Sequence, residues 1–392
     1  MVRFFAQQLR LFAILLLAAA LPVFAQDTSK ILGRIYDGDK VIARVVHIGD
    51  PIGWGGVGKI LRVTILNSRG EPDTFAMKVF KTELPEGTRQ KILSRWSRMP
   101  QVFEQDTDGV LAYSKTGLKL VMENAKDQPA PDVMLSEIAS GSALDRIPQI
   151  ELKPGDPQLE AKLGVLTKFK RQTLKGIELL TANGLTHGDV KPSNVLFTTK
   201  PGFDWTHPNT AKIEFRLADF DTLTPIHQNL IIVDPLFSAP ETWLKKTRKA
   251  TPAYDVYSHA VGIYTMAFNN SPFYDYISSP EGAPLREEAW NAMPDKSLFQ
   301  SHGRDLIKEN LFSDPKRYER YLQWIDKRFR SLEHPGMSQA AQAKLTELRS
   351  FVQNGLKLSP EDRLRSFPSL RSKAMISDCP QLLEHLRALL HQ

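Results

Sequence analysis

One octapeptide constrains this 392-residue chain more than any other stretch. His187-Gly188-Asp189-Val190-Lys191-Pro192-Ser193-Asn194 places a carboxylate, an ammonium and a carboxamide within six residues. Taken alone, such a run of common polar residues can be a surface turn. Its weight comes from the ordered segments around it. Upstream lie Gly53-Trp54-Gly55-Gly56-Val57-Gly58 and then Ala76-Met77-Lys78. Downstream come Leu217-Ala218-Asp219-Phe220-Asp221, Ala239-Pro240-Glu241, Asp255-Val256-Tyr257-Ser258 and Leu358-Ser359-Pro360-Glu361-Asp362-Arg363. The glycine run sits between two β-rich stretches, Val41 to Ile48 and Lys59 to Leu66. Thr74 to Phe80 reads as a strand, on which Lys78 shares a face with Thr74, Ala76 and Phe80.

In this order the segments resemble the eukaryotic-type (serine/threonine) protein kinase-like superfamily, over roughly residues 40 to 370. The resemblance implies an α+β, bilobal fold with a small β-rich N-lobe and a larger helical C-lobe. It also implies phosphoryl transfer from ATP, with magnesium or manganese, to a serine or threonine hydroxyl of a protein. By the same resemblance Asp189 receives or orients the proton of the attacking hydroxyl, Lys191 meets the transferring phosphate, and Asn194 and Asp219 hold the metal ion. Gly53, Gly55 and Gly58 would close backbone amides over phosphate oxygens without a Cβ in the way, and Lys78 would meet those phosphates. Glu123-Asn124-Ala125 is expected to be the hinge between lobes, with Glu123 and Ala125 among the nucleotide-binding residues. Ala239-Pro240-Glu241 matches the end of an activation segment, Asp255 opens the helix that supports the catalytic loop, and Arg363 is expected to pair with Glu241.

The chain departs from the family pattern at four places, and each carries an expectation. Asp221 stands where the metal-binding segment has its glycine. No acidic residue lies between Gly87 and Val102, so Glu86 and Glu104 only flank the expected helix, Gln90 is the nearest isostere, and Lys78 is expected to lack its usual ion pair. Gly188 replaces an arginine that many kinases neutralise with an activation-segment phosphate, which implies activity independent of such phosphorylation. Asp234 stands where these kinases put a threonine, and its carboxylate is expected to pair with Lys191. Lys191 itself points to serine/threonine kinases. His-Gly-Asp and Asp221 lean toward small-molecule or glycan kinases of the aminoglycoside phosphotransferase type, and the missing helix glutamate favours a pseudokinase acting as a nucleotide-binding or scaffold module.

The first 25 residues differ in kind from the rest. Arg3 and Arg10 precede the apolar run Leu11 to Leu21, and Pro22-Val23-Phe24-Ala25 ends it with small residues at the last and third-last positions. This is the pattern of a cleaved secretory signal, too short for the ~20 apolar residues of a spanning helix. The expectation is an exported, bacterial-type family member, periplasmic or secreted, with membrane contact only if the N-terminal segment is retained. Cys379 is the sole cysteine, which excludes an intrachain disulfide. The net charge of +7 falls by two when Arg3 and Arg10 leave. Basic clusters such as Lys245 to Lys249 and Lys327 to Arg330 read as solvated helix faces, not nucleic-acid contacts.

Along the chain the expected organisation is a signal peptide over 1–25, an N-terminal extension over 26–39, an N-lobe over 40–124 and a C-lobe over 125–392. Ile31 to Tyr36 and Lys40 to Val46 flank Asp37-Gly38-Asp39 as a hairpin. Glu86 to Met99 reads as the single N-lobe helix, and Val110 to Thr116 and Leu118 to Met122 as its last strands. Insertions are expected at about 126–157, 200–210 and 278–343. The first, with five prolines, is expected outside the core, and the third to present an accessory surface around Tyr318 to Phe329. Leu163, Leu166, Phe169, Leu174, Ile177 and Leu180 recur at helical spacing, with Asn183-Gly184 as the stop.

Overall fold

The computed structural model describes residues 31–54, 57–66, 69–81, 84–123, 131–230, 234–244, 249–293, 295–298 and 302–371. The signal segment, Gly55, Gly56, Asn124, Ala125, Lys245 to Arg248 and Cys379 lie outside them. The chain divides into two units, one formed by residues 1–82 and 117–135, the other by 83–116 and 136–392.

The first unit is a closed barrel. Its strands are β1 (Gly33–Asp37), β2 (Lys40–Trp54), β3 (Gly58–Leu66), β4 (Pro72–Phe80), β5 (Ser114–Met122) and β6 (Asp132–Glu137), in the order β1-β2-β3-β4-β6-β5. Alternation decides what fills it: Ile35, Val45, Val63, Met77, Leu118 and Val133 point inward and are buried. The turn at Asp37-Gly38-Asp39 uses a left-handed Gly38. The residues assigned to an N-terminal extension include β1, a barrel strand paired with both β2 and β5.

Three boundaries differ from the sequence reading. Residues 110–112 are not a barrel strand: Asp106 accepts from the amides of Val110 (3.0 Å) and Leu111 (2.8 Å), and Ala112 donates to the Leu217 carbonyl at 2.8 Å. The expected hinge at Glu123 falls inside the barrel unit. Glu123 caps β5, its amide donating to the Leu32 carbonyl and its carboxylate meeting Arg34 at 3.2 Å. A further strand, β6, follows, and the chain enters the second unit between Leu135 and Ser136. The proline-rich stretch is correspondingly not outside the core, since Val133 and Leu135 fill the barrel and Ala143, Ile147 and Ile150 are buried in the second unit.

The second unit is mostly helical. It begins with α1 (Glu86–Trp96) and α2 (Met99–Glu104), two helices where one was expected, grouped here and not with the barrel. Then come β7 (Gly141–Ser142), α3 (Ile147–Ile150) and the long α4 (Leu159–Ala182), capped by Asn183 and a left-handed Gly184. Leu163, Leu166, Phe169, Ile177 and Leu180 of α4 are buried as their spacing implies, whereas Leu174 is only partly so. The short strands are β8 (Leu185–Thr186), β9 (Val195–Thr199), β10 (Ile213–Leu217) and β11 (Thr224–Pro225), with sheets ordered β10-β9-β7 and β11-β8. The helices α5 (Pro240–Leu244), α6 (Pro252–Phe268), α7 (Pro272–Ser278), α8 (Ala283–Ala292), α9 (Arg304–Ser313), α10 (Pro315–Arg330), α11 (Gln339–Gly355) and α12 (Pro360–Ser366) complete it. Helix α6 is buried nearly all round, as a central helix must be. The segment 278–343 is no accessory layer: Tyr318, Tyr321, Trp324 and Phe329 of α10 lie in the core, with their basic neighbours outward.

Candidate active site

The octapeptide follows β8 and is fixed from below by α6. Thr251 caps that helix, its hydroxyl accepting from the Tyr254 amide. Asp255 in its first turn accepts from the His187 amide with one oxygen (2.7 Å) and from the Gly188 amide with the other (2.9 Å). Burial pushes the Asp255 carboxyl up to about 7, against the lowering effect of those two amides.

Gly188 has φ +81°, and a Cβ there would stand 3.0 Å from the Leu230 side chain and 3.1 Å from the Thr222 carbonyl oxygen. Any larger residue is strained at this position. His187 is buried, and burial lowers its pKa. The neutral ring then donates from Nε2 to the Ala218 carbonyl (2.9 Å) and accepts the Asp189 amide at Nδ1 (3.3 Å).

Strand pairing brings the next two residues together. Asn194 precedes β9 and Asp219 follows β10, and the antiparallel register Val195↔Leu217 sets these ends side by side. The Ala218 amide donates to the Asn194 carbonyl at 2.9 Å. Asp219 itself has φ +63°, a left-handed conformation that non-glycine residues adopt seldom and that marks functional turns. Asp221, in place of a glycine, is buried within the short 3₁₀ turn Phe220–Thr222.

Asp189 is the centre of the constellation. Its Oδ2 receives the Asn194 amide at 2.9 Å and the Lys191 ammonium at 2.9 Å, and Asn194 also donates to the Asp189 carbonyl at 2.8 Å. Its Oδ1 is buried with no hydrogen-bond partner among the described residues. Burial raises the Asp189 pKa, with Lys191 and Asn194 acting in the opposite direction. Lys191 also reaches Asp234 at 3.2 Å, as expected from the sequence. Burial alone would lower the Lys191 pKa, but the two carboxylates outweigh it and the net shift is upward.

The remaining residues fall in the barrel unit. Lys78 is buried on β4 and pairs with Ile60 of β3, while Gly58 stands opposite Phe80. A Cβ on Gly58 would lie 2.5 Å from the Val79 carbonyl oxygen, so only glycine permits this approach. Gly53 lies in β2 opposite Ile60. In α1, which belongs to the helical unit, the Gln90 side-chain amide donates to Glu86 at 2.6 Å.

Farther out, Arg363 is fully buried and donates to Glu241 at 2.5 Å, to the Ala253 carbonyl at 3.1 Å and to the Lys357 carbonyl at 2.6 Å. This is the long-range pair the sequence pointed to. The sequence reading assigned no role to Thr222, whose hydroxyl donates to the His187 carbonyl at 2.9 Å and ties the loop to the turn after Asp219. A lone threonine gives no signal of such a bond.

A family model for the protein kinase domain matches residues 46–367. The chain is 24% identical over 290 residues to the ovarian-specific serine/threonine-protein kinase Lok of Drosophila melanogaster, an alignment covering 70% of this chain and 54% of that one. It is 29% identical over 216 residues to serine/threonine-protein kinase TOS3 of Saccharomyces cerevisiae, covering 49% and 36% respectively. Serine/threonine-protein kinase ULK3 of Mus musculus is 25% identical over 218 residues, covering 55% and 43%. The chain thus spans about half or less of the length of these relatives.

Proposed function

The chain belongs to the protein kinase family, and on that premise we propose that it transfers a phosphoryl group from ATP to a serine or threonine hydroxyl of a protein. The observation that carries the reading is the state of Asp189. One of its oxygens is fixed by Asn194 and Lys191, and the other is a buried acceptor without a partner among the described residues. An acceptor hydroxyl directed to the Asp189 carboxylate would be oriented by it and would deliver its proton there. The raised pKa of Asp189 favours that proton acceptance. Lys191 holds a positive charge beside the position where negative charge develops.

Asp219 and Asn194 fit a hard divalent cation. The Asn194 Nδ2 is committed to Asp189, which leaves Oδ1, approached among the described residues by the Ser193 hydroxyl at 3.4 Å, as an oxygen ligand that would join the Asp219 carboxylate. Among the described residues no group of three His, Cys, Asp or Glu could hold a metal alone, so phosphate oxygens are the natural completing ligands. When bound, magnesium or manganese nucleotide supplies the phosphoryl group and screens its charge. Lys78, Gly53 and Gly58 are the barrel residues proposed to meet its phosphates.

Two further readings belong here. A nucleotide-binding module without turnover is favoured by the hold of Asp234 on Lys191. Export is proposed from residues 1–25, and N-terminal sequencing of the secreted or periplasmic protein should begin at Gln26. The test of activity is incubation of the mature protein with γ-labelled ATP, each metal in turn and a mixture of protein acceptors, followed by phosphoamino-acid analysis. Label on serine or threonine supports transfer. Label confined to a sugar or small-molecule acceptor would favour the glycan-kinase alternative, and ATP binding with no label would favour the module.

A further inference from the structure

Helix α1 carries Lys91 and Arg95 one turn apart, and Arg98 continues the same stripe at the next i+3 position, just past the end of the helix. Together they line a cavity of about 660 Å³ whose facing wall is formed by Pro225, Gln228, Asn229 and Leu230, the residues at and after β11. None of the described residues lining this cavity is acidic. Among the described residues none of the three cations has an ion-pair partner, and Nη1 of Arg95 is buried with no hydrogen-bond partner. Burial, and then the neighbouring Arg98, lower the Arg95 pKa. Three like charges around one cavity repel one another, and a single polyanion would turn that repulsion into charge-assisted hydrogen bonds.

The chain does not offer that anion from the facing segment. Between Asp219 and Glu241 the only hydroxyls are Thr222, Thr224 and Ser238, and all three are buried. Thr222 donates to the His187 carbonyl, Thr224 to the Thr222 carbonyl and Ser238 to the Pro235 carbonyl. A phosphate attached to this segment would therefore have to break the packing that positions the catalytic loop.

We propose that the cavity between α1 and residues 225–230 is a binding site for a phosphate-bearing polyanion supplied by another molecule, held by Lys91, Arg95 and Arg98 and reached by the side-chain amides of Gln228 and Asn229. Its three cations match the charge of about −3 on a pyrophosphate group, and its volume accommodates one. Such a ligand would tie α1 to the segment that follows Asp219.

The site is tested by calorimetric titration of inorganic pyrophosphate into the mature full-length protein, without nucleotide or metal, so the result is independent of catalysis. Saturable binding is expected in the wild type and in Lys78→Ala, which removes a cation of the proposed nucleotide site. A loss of at least tenfold in affinity is expected in Arg95→Gln/Arg98→Gln, with recovery in Arg95→Lys/Arg98→Lys. Lys91→Gln, at an exposed helix position, should weaken binding severalfold with an unchanged anion-free melting temperature. A parallel titration with a phosphoserine peptide separates the sources: tighter binding of the peptide assigns the anion to a phosphoprotein, and tighter binding of pyrophosphate to a small molecule. Binding of neither probe at millimolar concentration, or binding that survives in Arg95→Gln/Arg98→Gln and disappears in Lys78→Ala, would overturn the proposal.

Discussion

Lys191 is shared between two carboxylates, Asp189 at 2.9 Å and Asp234 at 3.2 Å. On the proposed function the first contact positions it for chemistry, and the second competes for the same ammonium. Replacing Asp234 by threonine keeps a hydroxyl acceptor and removes the competing charge, so Asp234→Thr should raise the transfer rate or leave it unchanged in a steady-state assay. A tenfold fall would mean that Asp234 holds Lys191 in place. The Glu241 to Arg363 pair makes a different kind of demand. Arg363 is fully buried, and its carbonyl acceptors at Ala253, Lys357 and Leu358 do not neutralise its charge. Glu241→Ala should therefore cost about 3–5 kcal/mol in urea unfolding, the typical penalty for stranding one member of a buried pair. A cost under about 1 kcal/mol would show that the carbonyls suffice.

Helix α6 carries two buried titrating groups one turn apart, with opposite consequences. Burial raises Asp255 to about 7, so between about pH 4 and 7 the folded state holds a proton that the unfolded state has released, and stability falls as pH rises. His259, packed between Phe169 and Phe351 with Nε2 bonded to the Lys170 carbonyl, is lowered by burial to about 3. From about pH 3 to 6.5 the unfolded state holds the extra proton, and stability rises with pH. Each slope is about 1.4 kcal/mol per pH unit, and over most of the window they offset each other. His259→Phe should expose a decline in stability from pH 4 to 7, and Asp255→Asn a rise from pH 3 to 6.5, both measured by urea midpoints. Parallel profiles for wild type and both variants would contradict these assignments. The elements themselves were unevenly legible. Helix α4 and the hairpin at Gly38 follow from local spacing and turn chemistry. Strand β6 was missed because prolines on either side of it read as loop. Yet Pro131 lies just ahead of the strand, where its missing N–H costs nothing and its carbonyl still accepts from Leu120 at 3.1 Å. Residues 110–112 have a strand's composition, but the Asp106 side chain takes two of their amides, and no apolar pattern signals that competition. Helix α10 shows the converse error: its aromatic, basic sequence suggests a surface, and helical phase places every aromatic in the core.

For the molecule as a whole, the family was legible because each short motif is local in its chemistry and the motifs' order along the chain carried the fold. What could not be read was a meeting of distant elements that no motif announces, such as the cation stripe of α1 facing residues 225–230. On the proposed function the helical unit holds a working general base at Asp189. The variant Asp189→Asn preserves shape while removing the acceptor, so nucleotide binding and transfer can be separated. At about 100 times the dissociation constant, ATP with metal should add about 2.7 kcal/mol of stability to both wild type and variant. The most direct measurement is label transfer from γ-labelled ATP by the two proteins, prepared identically and both shown to bind nucleotide by thermal shift. Transfer by the wild type and a loss of at least a hundredfold in Asp189→Asn are expected. Equal transfer by the two proteins, or none by a nucleotide-bound wild type with either metal, would contradict the proposed function.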